Sequence, residues 1–278
     1  MKYIFFDIDG TLVGNSKQVT KNTADGIREA RANGHKVYLC TGRAPVSIPS
    51  RIKEIGFDGV IASAGGFVQA ENTYIYENSL DPTILQQVIV LFINHNILFS
   101  LETKEAVYQT PGVLAFLRNI YATHWSNNSE LSRILEETVG NETHVPIDQF
   151  NMSISVAKIS FMSYDKIALY DTVPFLSKYF DIVIFSKKDD PYINGELIMK
   201  DCTKGDGMKY ILEHMGGSIE DTIAFGDSMN DYPLITAANY SMVNENAPDK
   251  LLSIADDTFI DPDQDGIYLA LRKLNIIN

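Results

Sequence analysis

Short apolar runs alternate with longer amphipathic stretches over the first part of the chain. Lys2 to Phe6 is apolar and β-prone except at Lys2, the pattern of a strand buried in a parallel sheet. Thr20 is placed to cap a helix running to about Asn33. Gly34 is its stop, and Ala24, Ile27 and Ala30 lie on its apolar face. A strand at Lys36 to Cys40, a helix over roughly Pro45 to Ile55 and a strand at Gly59 to Ser63 follow, the last running into Ala64-Gly65-Gly66. This β-α-β-α-β alternation predicts a parallel sheet with crossover helices. Phe67 to Glu77 alternates as a hairpin.

The rhythm changes at Asp81-Pro82, a helix start with Asp as cap and Pro at the first position. That helix runs to about Asn96. Leu98 to Glu102 and Ala106 to Thr110 read as an antiparallel pair, followed by helical stretches near Val113 to Ala122 and Glu130 to Val139. Next come a strand at Val156 to Met162, a helix at Lys166 to Leu176, and strands at Ile182 to Ser186 and Tyr192 to Ile198. The first rhythm then resumes. A helix from Thr203-Lys204-Gly205 to Met215 ends at Gly216-Gly217. A strand, Thr222 to Phe225, ends in Gly226-Asp227-Ser228-Met229-Asn230-Asp231. The expected organisation is an α/β core of residues 1–81 and 199–278, with a mixed α+β unit, 82–198, inserted into it.

Composition narrows the partners. The chain has 278 residues, 45% hydrophobic and 21% charged, the balance of a globular protein. A formal net charge of −13 argues against nucleic acid and anionic membranes. It leaves room for a phosphorylated substrate, because a metal ion and a few local cations can invert the field in a pocket. The two cysteines, Cys40 and Cys202, are too few for a disulfide framework and fit a reducing compartment. No signal-peptide pattern precedes the first strand, and the longest apolar stretch, around Val88 to Ile93, is too short to span a bilayer. The expected location is cytoplasmic.

The chemistry collects where strands end. Asp7-Ile8-Asp9-Gly10-Thr11 follows the first strand, and residues i and i+2 leave a strand on one side. Two acids held together want a counter-cation, and oxygen ligands without Cys or His suit Mg²⁺. Thr41-Gly42-Arg43 follows the second strand and offers a hydroxyl and turn amides to an anion. Lys204 opens a helix, where it opposes the dipole unless an anion sits beside it. Gly226-Asp227-x-x-Asn230-Asp231 adds more carboxylate. On one sheet edge these four segments would make a phosphate-and-magnesium site. There Asp7 would act as nucleophile and Asp9 as acid and base. Mg²⁺ would be held by Asp7, the backbone carbonyl of Asp9 and Asp227, and the phosphoryl oxygens by Thr41, Gly42, Lys204 and Asn230. Asp231 would bind through water or orient Lys204, with Gly10, Thr11 and Arg43 in support.

In this order, with a large insertion between the second and third, the four motifs resemble those of the haloacid dehalogenase superfamily. The Asp7-x-Asp9 pair resembles its phosphatase branch. The insert and the Gly226-Asp227-Ser-Met-Asn230-Asp231 run resemble the Cof-type sugar-phosphatase group, as does Asp265-Gly266 before the last helix. Tyr232-Pro233-Leu234 departs from that group, which more often has an aliphatic residue followed by methionine. The resemblance implies a Rossmannoid core with an inserted cap that selects substrate. It also implies Mg²⁺-dependent hydrolysis of small phosphorylated metabolites, commonly sugar phosphates. Monomer and homodimer both fit.

Two rival readings share these motifs: a sugar phosphomutase of the same superfamily, and a non-catalytic metabolite-binding protein. Asp261-x-Asp263-x-Asp265-Gly266 imitates a calcium loop but has Arg272 where a bidentate Glu belongs. Cys40 lacks the downstream arginine of a cysteine phosphatase and reads as core. His35, His95, His124, His144 and His214 have no zinc spacing. Phe116, Tyr121 and Trp125 read as core of the insert.

Overall fold

The computed structural model describes residues 1–123, 143–200 and 202–278. Its chain divides into two compact units. One comprises Met1–Arg43, Ile48–Glu77 and Cys202–Asn278, and the other Ala44–Ser47 and Asn78–Asp201.

The first five strands are β1 (Tyr3–Phe6), β2 (Lys36–Cys40), β3 (Gly59–Ala62), β4 (Phe67–Ala70) and β5 (Thr73–Glu77). The inserted unit contributes β6 (Leu98–Glu102), β7 (Val107–Gln109), β8 (His144–Pro146), β9 (Lys158–Ser163), β10 (Phe180–Ile184) and β11 (Ile193–Met199). The chain returns to the first unit with β12 (Thr222–Gly226), β13 (Tyr240–Asn244) and β14 (Asp257–Phe259).

In the first unit the sheet order is β14-β13-β12-β1-β2-β3-β4-β5. Pairing is parallel from β14 to β3 and antiparallel through the β4–β5 hairpin. β1 is buried along its whole length, which is why it reads as an unbroken apolar run. Phe5 stacks on Tyr38 at 5.1 Å between ring centroids and Phe6 on Phe225 at 4.9 Å, so β1 is locked to its neighbours on both sides. The helix Lys21–Ala32 starts where Thr20 accepts from the Thr23 N–H, and the helix Lys204–Met215 starts in a capping box between Thr203 and Asp206. Gly216, left-handed at φ 63°, ends the second helix.

The expected helix over Pro45 to Ile55 is broken in two. A 3-10 turn covers Pro45–Ser47 and a short helix covers Ser50–Lys53. Between them Pro49 is extended (φ −58°, ψ 138°), and having no N–H it cannot continue a helical ladder.

In the inserted unit the sheet order is β10-β11-β9-β6-β7-β8, antiparallel except between β7 and β8. One face carries Phe99, Leu101, Ile159, Phe161 and Leu197. Phe92 of the helix Pro82–Asn94 packs there, 5.8 Å from Phe99 and 6.3 Å from Phe161. The other face carries Ser100, Glu102, Lys158, Ser160, Asn194 and Glu196, all buried. Lys158 lies between Glu196, to which it hydrogen-bonds, and Glu102 at 3.3 Å. Phe116 is in a core cluster with Val113, Leu117, Ile120, Met162 and Tyr192, as expected. The strand β8 had no sequence signal of its own. The expected helix Glu130 to Val139 and the side chains of Tyr121 and Trp125 lie outside the described residues.

Candidate active site

Parallel pairing puts the carboxyl ends of β1, β2 and β12 side by side, with Phe6 aligned to Leu39 and to Phe225. Asp7, Thr41 and Asp227 each follow such an end, so three separate motifs meet on one edge of the sheet. The Asp7 N–H still bonds the Phe225 carbonyl at 3.0 Å, fixing the first carboxylate to the rigid part of the sheet.

Lys204 is the hub. It is 1% exposed, and its Nζ donates to Asp7 Oδ1 at 2.6 Å, to Asp231 Oδ1 at 2.6 Å and to Asn230 Oδ1 at 3.2 Å. The other Asp231 oxygen accepts from the backbone N–H groups of Asp227 (3.0 Å) and Ser228 (3.1 Å). Asp231 therefore joins the lysine to the turn that carries Asp227. Asn230 is held in that turn by Ser228 Oγ at 2.9 Å.

Asp9 points elsewhere. Its two oxygens take a bidentate fork from Arg43, Nε at 2.9 Å and Nη2 at 2.7 Å, with both residues buried. Thr41 Oγ1 accepts from the Arg43 N–H at 3.1 Å, with Gly42 buried between them, so the second motif is a closed turn. Gly10 has φ 87°, and a Cβ there would fall on the Asp227 carboxylate. Only a glycine lets the fourth motif come so close to the first. Thr11 Oγ1 is 3.5 Å from Asp227 Oδ1. Asn244, which sequence reasoning passed over, ends β13 and donates to the Gly10 carbonyl at 3.2 Å.

Asp7, Asp227 and Asp231 each offer an oxygen, and these atoms lie within 4.8 Å of one another. Burial pushes the Asp7 carboxyl well above the usual carboxylate range. Lys204 pulls it down, and Asp231 and Asp9 push it up again. Burial alone would lower Lys204, but Asp231 and Asp7 outweigh it and hold the ammonium above the ordinary lysine range. The shared lysine thus stays charged while the carboxylates around it repel one another. An all-oxygen set crowded in this way fits a hard divalent cation. Asp9 was expected to reach a metal through its backbone carbonyl, and its carboxylate is not in the cluster.

The remaining motifs are structural. Asp261 accepts from the Asp263 N–H, Asp263 binds the Ser16 N–H and hydroxyl, and Asp265 binds Asn22, so the calcium-like run ties down a turn. Cys40 is fully buried, and burial raises its thiol well above the usual range.

A family model for haloacid dehalogenase-like hydrolases matches residues 4–271. The chain belongs to that family. It is 27% identical to the Bacillus subtilis protein YkrA over 280 residues, covering 99% of this chain and 98% of that one. It is 24% identical to the Bacillus subtilis phosphatase YwpJ over 287 residues, 99% and 100% of the two chains. The structure is similar to that of a haloacid dehalogenase-like hydrolase from B. subtilis, with TM-score 0.81, 22% identity, and coverage of 99% and 100%. It is also similar to the subclass IIB sugar phosphatase BT4131, with TM-score 0.79, 21% identity, and both chains covered fully. The fold class and the family read from the four motifs, a phosphatase of the haloacid dehalogenase type, are borne out. Among the described residues no helix is long and apolar enough to cross a membrane.

Proposed function

We propose that the protein is a Mg²⁺-dependent phosphatase of small phosphorylated metabolites, sugar phosphates foremost, working through an aspartyl-phosphate on Asp7. The observation that carries this is the Asp7 carboxylate, fixed at a strand end 2.6 Å from a buried lysine and beside two further carboxylates. The names of YwpJ as a phosphatase and BT4131 as a sugar phosphatase support it.

In this reading an Asp7 oxygen attacks phosphorus, and the bond from phosphorus to the substrate oxygen breaks. Asp9 gives its proton to the departing oxygen, for which it exchanges one of its Arg43 bonds. Water then attacks the phosphorus and loses a proton to Asp9, the bond to Asp7 breaks, and inorganic phosphate leaves. Thr41, the Gly42 amide, Lys204 and Asn230 hold the phosphoryl oxygens. Asp7 and Asp227, with the Asp9 carbonyl and Asp231 in support, would hold the Mg²⁺, which supplies charge neutralisation between carboxylate and phosphate. Selection of the leaving group falls to the inserted unit, and the location is cytoplasmic.

The test is release of inorganic phosphate from a panel of phosphorylated sugars, nucleotides and cofactors. Release should require Mg²⁺, stop in EDTA, and fall by at least about a thousandfold in Asp7→Asn with the far-UV circular dichroism unchanged. An Asp7→Asn protein as active as its parent would sink the covalent mechanism. No release, with bisphosphate-primed isomerisation instead, would move the assignment to a phosphomutase.

A further inference from the structure

The turn after β3 takes no part in the chemistry above, yet it is the most unusual stretch of backbone near the site. Three consecutive residues have left-handed φ values: Ser63 at 48°, Ala64 at 58° and Gly65 at 118°. Two of them carry a Cβ, which makes the conformation unfavourable, and such backbone persists only where the surroundings impose it. All three are buried.

The surroundings are two of the four motifs. The Ser63 N–H donates to the Arg43 carbonyl at 2.8 Å and the Ala64 N–H to the Thr41 carbonyl at 3.0 Å. These bonds grip the second motif on both sides of Gly42. On its other side, Gly65 lies against Thr203, where a Cβ would fall on the carbonyl oxygen and crowd the backbone N and C atoms. Thr203 caps the helix whose first residue is Lys204. The turn is therefore wedged between the segment that carries Thr41 and the segment that carries Lys204.

We infer that Ser63-Ala64-Gly65 is a positioning element for phosphate binding: it sets the separation between the Thr41–Gly42 anion loop and the Lys204 ammonium. The left-handed run is what allows one turn to present two N–H groups to the loop and a bare Cα to the helix start. This rests on the phosphatase reading for the identity of the bound anion. A larger residue at position 65 has to move Thr203, and with it Lys204, and a misplacement of about 1 Å in such a site can cost about a hundredfold.

The experiment measures orthophosphate affinity by calorimetry in Mg²⁺, together with kcat and KM for the best panel substrate, on the full chain. Gly65→Ala should weaken phosphate binding by at least about tenfold, raise KM and lower kcat. Gly217→Ala is the control for crowding. Its Cβ would meet the Tyr3 ring at the start of β1, away from the carboxyl edge, so it should lower Tm and leave phosphate affinity alone. If Gly65→Ala fails to fold, the Ala64 pair decides. Ala64→Gly, which adopts φ 58° freely, should keep parental affinity, and Ala64→Val, which does not, should lose it. Equal affinity in parent and Gly65→Ala, equal losses at positions 65 and 217, or equal behaviour of the two Ala64 variants would overturn the inference. A parent that neither binds nor releases phosphate would overturn the phosphatase reading as well. A parent that does both, with Gly65→Ala unaltered, would overturn the positioning role alone.

Discussion

Each unit of the protein buries a lysine between two carboxylates, and the two arrangements differ in what surrounds them. Lys204 lies between Asp7 and Asp231, and Lys158 between Glu196 and Glu102. The Lys158 set is built on the middle of a sheet. Glu102 pairs directly with Lys158 across β6 and β9, Glu196 pairs with Ser160 across β11 and β9, and Ser160 Oγ donates to Glu102 at 2.8 Å. Its members are fixed by strand register. The Lys204 set is built from a strand end, a helix start and a turn, so its members meet at the carboxyl edge of the sheet. Asp7 and Asp231 share Lys204, Asp9 pairs with Arg43, and Asp227 brings a further carboxylate close to Asp7 and Asp231. A buried lysine–carboxylate group is weak evidence for function by itself. Position at strand ends and a third clustered carboxylate make it a candidate site.

That contrast can be broken by exchanging the lysines' fates. Under the proposed mechanism Lys204→Ala should lower phosphate affinity and turnover by about a hundredfold or more, since it removes the preorganised cation proposed to hold the phosphoryl group. Mg²⁺ should still raise the Tm of this variant, because Asp7 and Asp227 remain. Phosphate calorimetry and a thermal melt with and without Mg²⁺ read both effects. Unchanged phosphate binding would mean that Lys204 is a structural partner of Asp7 and Asp231, no different in kind from Lys158.

Lys158→Met is the complementary change. It leaves Glu102 and Glu196 buried without their shared lysine, and the removal of one member of a buried ion group costs about 3–5 kcal/mol. The loss should appear as faster hydrogen exchange in β6, β9 and β11 and a lower melting temperature. The Mg²⁺-dependent rise in Tm should match that of the parent. A Lys158→Met protein of parental stability that no longer hydrolyses the parent's substrate would place the inserted set in the reaction and erase the distinction.

The sequence carries these two regions unequally. The Lys204 set was legible because each member follows a recognisable signal: Asp7 ends an apolar run, Thr41 follows a strand, Lys204 opens a capped helix, and Asp227 follows another strand. Their meeting needed only the rule that parallel strands share one carboxyl edge. The Lys158 set was not legible. The Val156 to Met162 strand was read, but its polar residues at every second position look like a solvated face, and their burial depends on neighbours far off in the chain. The backbone geometry around the second and first motifs was hidden for another reason. Gly65-Gly66 announces a turn but not its left-handed course, and Gly10 shows its purpose only against Asp227. Pro49 could have been read as a break in the helix expected from Pro45 to Ile55, since a proline removes a ladder N–H wherever it falls inside a helix.

The smallest expected effect separates the units by pH. His144, on β8 in the inserted unit, has a buried Nδ1 with no hydrogen-bond partner, and burial lowers its pKa to about 4 from the ordinary 6.5. The folded form therefore favours the neutral imidazole while the unfolded chain takes up a proton below pH 6.5. Stability is unaffected above that value, falls as the pH drops through 6.5, and stops falling on this account near 4, where the folded form protonates as well. In the first unit Asp206 and Asp257 are also shifted down, but from the lower carboxylate value. For Asp206, burial opposes the shift, but Thr203 and Lys209 outweigh it. For Asp257, the hydrogen bond from Lys273 is the main cause. Their stabilisation is complete above the ordinary carboxylate value of 3.8 and is lost only below it. His35, in the first unit, is also lowered, by burial first and then by the N-terminal ammonium and Lys2, so that unit shares part of the effect. His144 is the one taken as far as about 4, and between pH 6.5 and 4 the inserted unit should loosen more. Hydrogen exchange at pH 7 and pH 5 should show a larger loss of protection in β7 and β8 than in β1, β2 and β12. His144→Gln, which keeps a polar side chain but cannot titrate, should remove most of that difference. Equal loss of protection in both sheets, or a His144→Gln protein as acid-sensitive as its parent, would show that His144 is not what separates the units.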